Sequence, residues 1–100
     1  MRIIKKKTLR DFWEAYPDAE QPLKYWFEKI KNAEYKHPND VIEDNPRSDT
    51  VGNGRIVFNI AHNKYRLIAL FRYRIQTVYI RFVGTHKAYD HIQDIENIEN

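Results

Sequence analysis

The chain reads as an α+β domain, with two N-terminal helices packed on one face of a mainly antiparallel sheet of three to four strands. Three observations lead there. Residues 55–85 contain the runs "RIVFNI", "KYRLIALFRYR" and "TVYIRFVG", which are rich in β-branched and aromatic residues and set close enough together for hairpins. Upstream, Leu9, Phe12, Trp13 and Tyr16, then Leu23, Trp26, Phe27 and Ile30, recur at helical spacing. At 100 residues the chain predicts one domain spanning 1–100. A chain of that length buries roughly two-thirds of its unfolded surface, which is enough for one core.

Each element has a local reason. "MRIIKK" is a short edge-strand candidate, apolar at Ile3 and Ile4 with lysines beyond. Thr8 can cap the first helix, with Asp11 in its first turn. Pro17 stops it. Asp18 then opens the second helix, with Gln21 as its capping-box partner and Pro22 tolerated in the first turn. That helix fades near Ala33 to Tyr35. Trp13, Trp26 and Phe27 read as core anchors rather than base-stacking platforms. Residues 36–54 are the least regular, broken by Pro38, Pro46, Gly52 and Gly54. A helical turn fits Asp40 to Asp44, and "GNG" is a turn. The final "HKAYDHIQDIENIEN" fits a helix with an acidic, fraying tail.

Alternation of side chains sets the strand faces. A two-residue turn at Ile75 and Gln76 would place Arg74 opposite Thr77, and the four-residue loop "AHNK" joins the first two runs. One face then carries Ile56, Phe58, Ile60, Tyr65, Leu67, Ala69, Phe71, Tyr73, Val78, Ile80, Phe82 and Gly84. It is almost wholly apolar and is the expected core face, covered by the helices. The other carries Arg55, Val57, Asn59, Arg66, Ile68, Leu70, Arg72, Arg74, Thr77, Tyr79, Arg81, Val83 and Thr85. All five strand arginines fall there. A slip of one residue would drive them into the core, so burial supports the register. Arg66 is expected between Asn59 and Thr85, beside His86, with Arg55 and Arg81 flanking Leu70.

The net charge is only +3, but it is segregated. Residues 1–10 and 55–87 are basic without a single acid, so all 14 acidic residues lie elsewhere. A positive face of this kind attracts a polyanion, nucleic acid being the commonest. There is no cysteine, hence no disulfide, no thiolate catalysis and no cysteine zinc site. No apolar run approaches the ~20 residues of a membrane helix. A cytoplasmic protein without membrane attachment is expected. His37, His62, His86 and His91 lack metal-ligand spacing, and neither a phosphate loop nor a nucleophile elbow occurs, so neither metal nor cofactor is expected.

The chemistry gathers near "YIRFVGTHKAYDHI". Arginine grips phosphate with a planar fork. RNA can be cut when its 2′-hydroxyl loses a proton and attacks the neighbouring phosphorus, the 5′-oxygen gains one, and the added phosphoryl charge is neutralised. His86 and Tyr89 can exchange protons, with histidine nearer neutrality. Arg66 and Arg81 can neutralise charge, and Lys87 can meet a phosphate. Asp90 fits a helix-turn cap as well as a catalytic role.

"VFNI", "NKYRLI" and "YIRFVGTHKAYD", in that order, together with "TLRDFWEAYPDAE", resemble the HigB toxins of the wider RelE/ParE group of bacterial toxin–antitoxin systems. The likeness covers nearly the whole chain and is weakest over 36–54 and at the C-terminus. It implies a compact RelE-like fold, two helices against a curved antiparallel sheet. It also implies an mRNA interferase, an endoribonuclease that cuts mRNA in association with the ribosome and is silenced by a cognate antitoxin. By motif, Arg66 of "YRL" matches the arginine that contacts the scissile phosphate. His86 matches a position held by arginine or histidine, and Tyr89 lies near the catalytic tyrosine. Relatives often place lysines on the preceding strand, where this chain has Arg55 and Asn59, with Lys64 in the loop. RNA binding is therefore expected of Arg55, Asn59, Lys64, Arg81 and Lys87. The implied partner is a HigA-like antitoxin with a helix-turn-helix domain, through which any DNA contact would run. A non-catalytic RNA-binding translation inhibitor and a ParE-like gyrase poison are the alternatives. The gyrase poisons lack the "GTHKAYD" cluster.

Overall fold

The computed structural model describes residues 1–99. Its centre is a five-stranded sheet. In chain order the elements are β1 (Arg2–Ile4), α1 (Lys6–Ala15), a 3₁₀ turn (Pro17–Ala19), α2 (Glu20–Lys31), α3 (Pro38–Asp44), β2 (Ser48–Gly52), β3 (Arg55–Ile60), β4 (Tyr65–Arg72), a 3₁₀ turn (Tyr73–Ile75), β5 (Thr77–Thr85), α4 (His86–Asp90) and a last 3₁₀ turn (Ile95–Asn97). The spatial order is β1-β5-β4-β3-β2. β1 runs parallel to β5 and the other pairs are antiparallel. The α+β class and the mainly antiparallel sheet match the expectation. The fifth strand, β2, comes from the stretch that reads as irregular. It is short, has no buried residue and carries a bulge between Thr50 and Gly52, so its alternation is weak.

Helix starts differ in detail. α1 begins at Lys6, and the residue before it, Lys5, takes a left-handed conformation (φ 73°). Thr8 therefore sits inside the first turn rather than capping it. Pro17 ends α1 as expected, but it opens a 3₁₀ turn that leads straight into α2. Asp18 makes no cap. Its carboxylate accepts from Tyr65 Oη at 2.5 Å and pairs with Lys64 instead. Tyr65 is itself wedged against Phe12 and Tyr16, with ring centroids 5.1 and 5.5 Å away. α3 starts at Pro38, with His37 at its N-cap and Asp40 accepting from the His37 amide at 3.0 Å.

The core lies between α1, α2 and one sheet face. Leu9, Leu23, Trp26 and Ile30 meet Ile56, Phe58, Ile60, Tyr65, Leu67, Ala69, Phe71, Val78 and Ile80. These are the positions that alternation assigns inward, with two exceptions. β5 is bulged against β4 where Ile68 pairs with Phe82 and Ala69 with Ile80. Beyond Arg81 every side chain changes sides. Val83 turns to the core, while Phe82 and Gly84 join the outer face opposite Ile68 and Arg66. The β4–β5 turn also differs. Tyr73–Ile75 form a 3₁₀ turn, Gln76 is left-handed (φ 49°), and Arg72 rather than Arg74 faces Thr77. A two-residue shift preserves parity, so Val78 and Ile80 stay inward.

The outer face is not an open plain of arginines. Val57, Ile68 and Leu70 are buried there, apart from the main core. The chain's own C-terminal part lies against this side of the sheet, with α4 close to β4 and β5 and the last 3₁₀ turn close to β2. Asn97 bonds Asn53, and the Ile98 carbonyl accepts from Arg55 Nε (3.3 Å) and Nη2 (3.2 Å). The tail expected to fray is thus tied down as far as Ile98. No described helix is long and apolar enough to cross a membrane.

Candidate active site on the outer face

β4 delivers Arg66 to the open end of the outer face, paired with Asn59 of β3 on one side and Gly84 of β5 on the other. One residue past β5, the chain turns into α4. Thr85 Oγ1 caps that turn by accepting from the Ala88 amide at 3.1 Å, the cap role open to Asp90 in the sequence. The cap fixes His86 at the first position of α4 and Tyr89 at the fourth, both facing β4. Arg66 Nε then lies 3.3 Å from His86 Nε2, and the guanidinium carbon sits 4.6 Å from the Tyr89 ring centroid. Phe82 backs Tyr89, with ring centroids 6.4 Å apart. The bulge makes this contact possible, because without it Phe82 would point into the core.

The three residues expected to be catalytic, Arg66, His86 and Tyr89, therefore form one cluster. Arg66 is braced by the imidazole and the phenol ring, a cation–π arrangement that fixes the guanidinium plane. Its terminal nitrogens make no hydrogen bond among the described residues and are free to receive an anion. Asn59, Arg66 and Tyr89 line a cleft of about 320 Å³ whose other wall is Arg47, Ser48, Asp49 and Val51 of β2 and the residues before it. Arg47 and Asp49 were not singled out in the sequence. The signal that could have found them is "GNG": a turn there needs a strand on both sides, and the strand before it must run beside β3.

The expected RNA contacts divide. Asn59 lines the cleft and Lys87 is exposed on α4. Arg81, at the bulge, lies over the Tyr79 ring at 5.2 Å, with its Nε buried and unpartnered among the described residues. Lys64 is turned away and paired with Asp18. This contact, with the Tyr65 hydroxyl, holds the Asp18 carboxyl below its ordinary range and raises Lys64. Arg55 is only 7% exposed and spends its donors on the Asn53 and Ile98 carbonyls, away from the cluster. Among the described residues, no group of three His, Cys, Asp or Glu side chains could hold a metal ion.

A bulged, mainly antiparallel sheet backed by α1 and α2 is compatible with a RelE-like fold. Residues 19–92 match the model of the HigB toxin family, described as the RelE-like toxic component of a toxin–antitoxin system. The mRNA interferase toxin HigB of Escherichia coli (strain K12) is 33% identical over 92 residues, covering 90% of this chain and 88% of that protein. The mRNA interferases HigB of Escherichia coli O157:H7 and Shigella flexneri match to the same extent. The chain belongs to the HigB toxin family.

Proposed function

We propose that the protein is an mRNA interferase, an endoribonuclease toxin that cuts mRNA at the ribosome in the cytoplasm. The observation that carries this reading is the Arg66–His86–Tyr89 cluster, of which Arg66 and Tyr89 line a polar cleft. In the proposed reaction the 2′-hydroxyl oxygen attacks the adjacent phosphorus. The O2′–P bond forms and the P–O5′ bond breaks, leaving a 2′,3′-cyclic phosphate and a free 5′-hydroxyl. The 2′-hydroxyl proton passes to a base in the cleft, and the departing O5′ takes a proton from an acid. His86 is the proton-exchanging side chain nearest the guanidinium. Tyr89 positions Arg66 and offers its hydroxyl as a second proton-exchanging group. Arg66 neutralises the charge that builds on the phosphoryl oxygens, where a preorganised donor has the most leverage. Asn59, Arg81 and Lys87 hold the strand, and Arg47 and Asp49 extend the set of candidates across the cleft. Arg55 and Lys64 contribute only if their internal partners release them.

A cognate antitoxin of the HigA type, with a helix-turn-helix domain, is the proposed silencing partner. The test is expression of Arg66→Ala beside wild type, with 5′ ends of cellular mRNA mapped after induction. Wild type should arrest growth and generate new ends. Arg66→Ala should lose cleavage by about 100-fold or more while folding normally. Growth arrest without new ends would favour a non-catalytic RNA-binding inhibitor.

A further inference from the structure

We infer that Asn63, in the loop between β3 and β4, is a positioning residue that sets which nitrogen of His86 carries the proton. This deepens the nuclease reading above and rests on it for its catalytic consequence. Two groups compete for one atom: Arg66 Nε lies 3.3 Å from His86 Nε2, and Asn63 Oδ1 lies 3.1 Å from the same nitrogen. Arg66 Nε–H can only donate, and Asn63 Oδ1 can only accept. His86 Nε2 cannot serve both at once. Bare, it accepts from Arg66. Protonated, it donates to Asn63. The two contacts therefore describe two proton states of one imidazole, each with a partner waiting.

The loop is bent to supply the second partner. Ala61, His62 and Asn63 are three successive non-glycine residues in the left-handed region, at φ 54°, 54° and 75°. Such conformations are disfavoured for side-chain-bearing residues and gather at functional sites. Asparagine tolerates this region better than most residues, and the bend brings its amide to His86 across a separation of 23 residues. The groups facing the ring are Arg66 from β4 and Asn63 from the loop. Tyr89 lies behind the guanidinium, and Lys87 follows the histidine in α4.

The consequence is a handover. When a phosphate engages the terminal nitrogens of Arg66 and draws the guanidinium toward the anion, the contact between Arg66 Nε and His86 Nε2 opens. Asn63 Oδ1 then accepts from Nε2–H and keeps that hydrogen oriented beside Arg66 as a proton source for the leaving O5′. Without Asn63 the ring keeps its place in the chain but loses the acceptor that selects this form.

The experiment uses the full chain, as wild type, Asn63→Gly and Asn63→Asp. Glycine removes the amide while suiting the positive φ, and aspartate, ionised at neutral pH, keeps an acceptor and has no donor. Imidazole ¹⁵N spectra of His86 at one neutral pH should show Nε2 carrying hydrogen least in Asn63→Gly, more in wild type and most in Asn63→Asp. In single-turnover cleavage, Asn63→Gly should lose roughly 10- to 100-fold in rate, as removal of partners that orient a functional imidazole does. Its KM should stay within a few fold, and Asn63→Asp should recover a substantial part of the rate. An unchanged His86 spectrum in Asn63→Gly overturns the inference, as does an unchanged rate. If wild type itself fails to cut RNA, the nuclease reading falls, and the order of the three spectra still decides whether Asn63 sets the proton on His86.

Discussion

Gly84 shows how one side chain's absence shapes the cluster. Alternation along "YIRFVG" puts it on the core face. The bulge puts it on the outer face instead, still paired, opposite Arg66. A Cβ there would lie 2.6 Å from Phe82 Cζ, so the glycine exists to let the phenyl ring lie across the strand. Phe82 in turn backs Tyr89, which backs Arg66. Gly84→Ala should therefore cost about 1–3 kcal/mol, the usual range for overpacking, and weaken cleavage by pushing Phe82 into Tyr89. Adding Phe82→Leu should restore much of the stability by making room. Thermal melts of the single and double variants check this, and a Gly84→Ala protein melting with wild type would refute it. The nearest sequence signal was the glycine itself. What it accommodates depends on a neighbour whose direction the bulge reversed.

The elements that alternation or helical period defines clearly, α2, β3 and β4, were readable with their faces. Features held mainly by distant contacts were not. β2 has little alternation of its own, and β1, though expected as an edge strand and found as one, gives no sign of its parallel pairing with a strand more than 70 residues away. The C-terminal segment is the sharpest case. Its composition is acidic and reads as a fraying tail, yet it lies against the sheet and is anchored by Arg55, which donates to the Ile98 carbonyl. An arginine that looks like a phosphate ligand on a strand diagram is thereby used to hold a backbone carbonyl. Truncation after Ile92 should expose apolar surface on the outer face and leave the buried Arg55 short of acceptors. A loss of about 1–3 kcal/mol is expected, together with increased binding of a hydrophobic dye. Urea unfolding with and without the segment provides the measurement, and an unchanged midpoint would show that the cover contributes nothing.

For the molecule as a whole, the ionisable groups define a pH window. Asp18 is held below its ordinary range by hydrogen bonds from Lys64 and Tyr65, and Asp40 by the backbone amides of Lys36 and His37. A depressed carboxyl stabilises the fold above its unfolded value, near 4, and that contribution disappears as pH falls through the folded value. Burial pushes the Tyr35 and Tyr73 hydroxyls up to about 12. Their contribution is complete below the ordinary tyrosine value, about 10, and is lost as pH rises from there toward 12. Denaturant midpoints should be flat between roughly pH 5 and 10 and fall on both sides, with Asp18→Asn shallower on the acid limb and Tyr35→Phe on the alkaline one. A midpoint still level at pH 11.5 would contradict the alkaline half. The class of fold, the inward residues of β3 and β4 and the grouping of Arg66, His86 and Tyr89 follow from periodicity, motif and the need to keep arginines out of the core. Those are local or one-dimensional constraints. The bulge at Arg81, the strand β2 with Arg47 and Asp49, the Asn63 contact and the covering C-terminal segment are set by how separate stretches meet in space. No periodicity along the chain encodes them, because each is stabilised by partners that are remote until the sheet has formed.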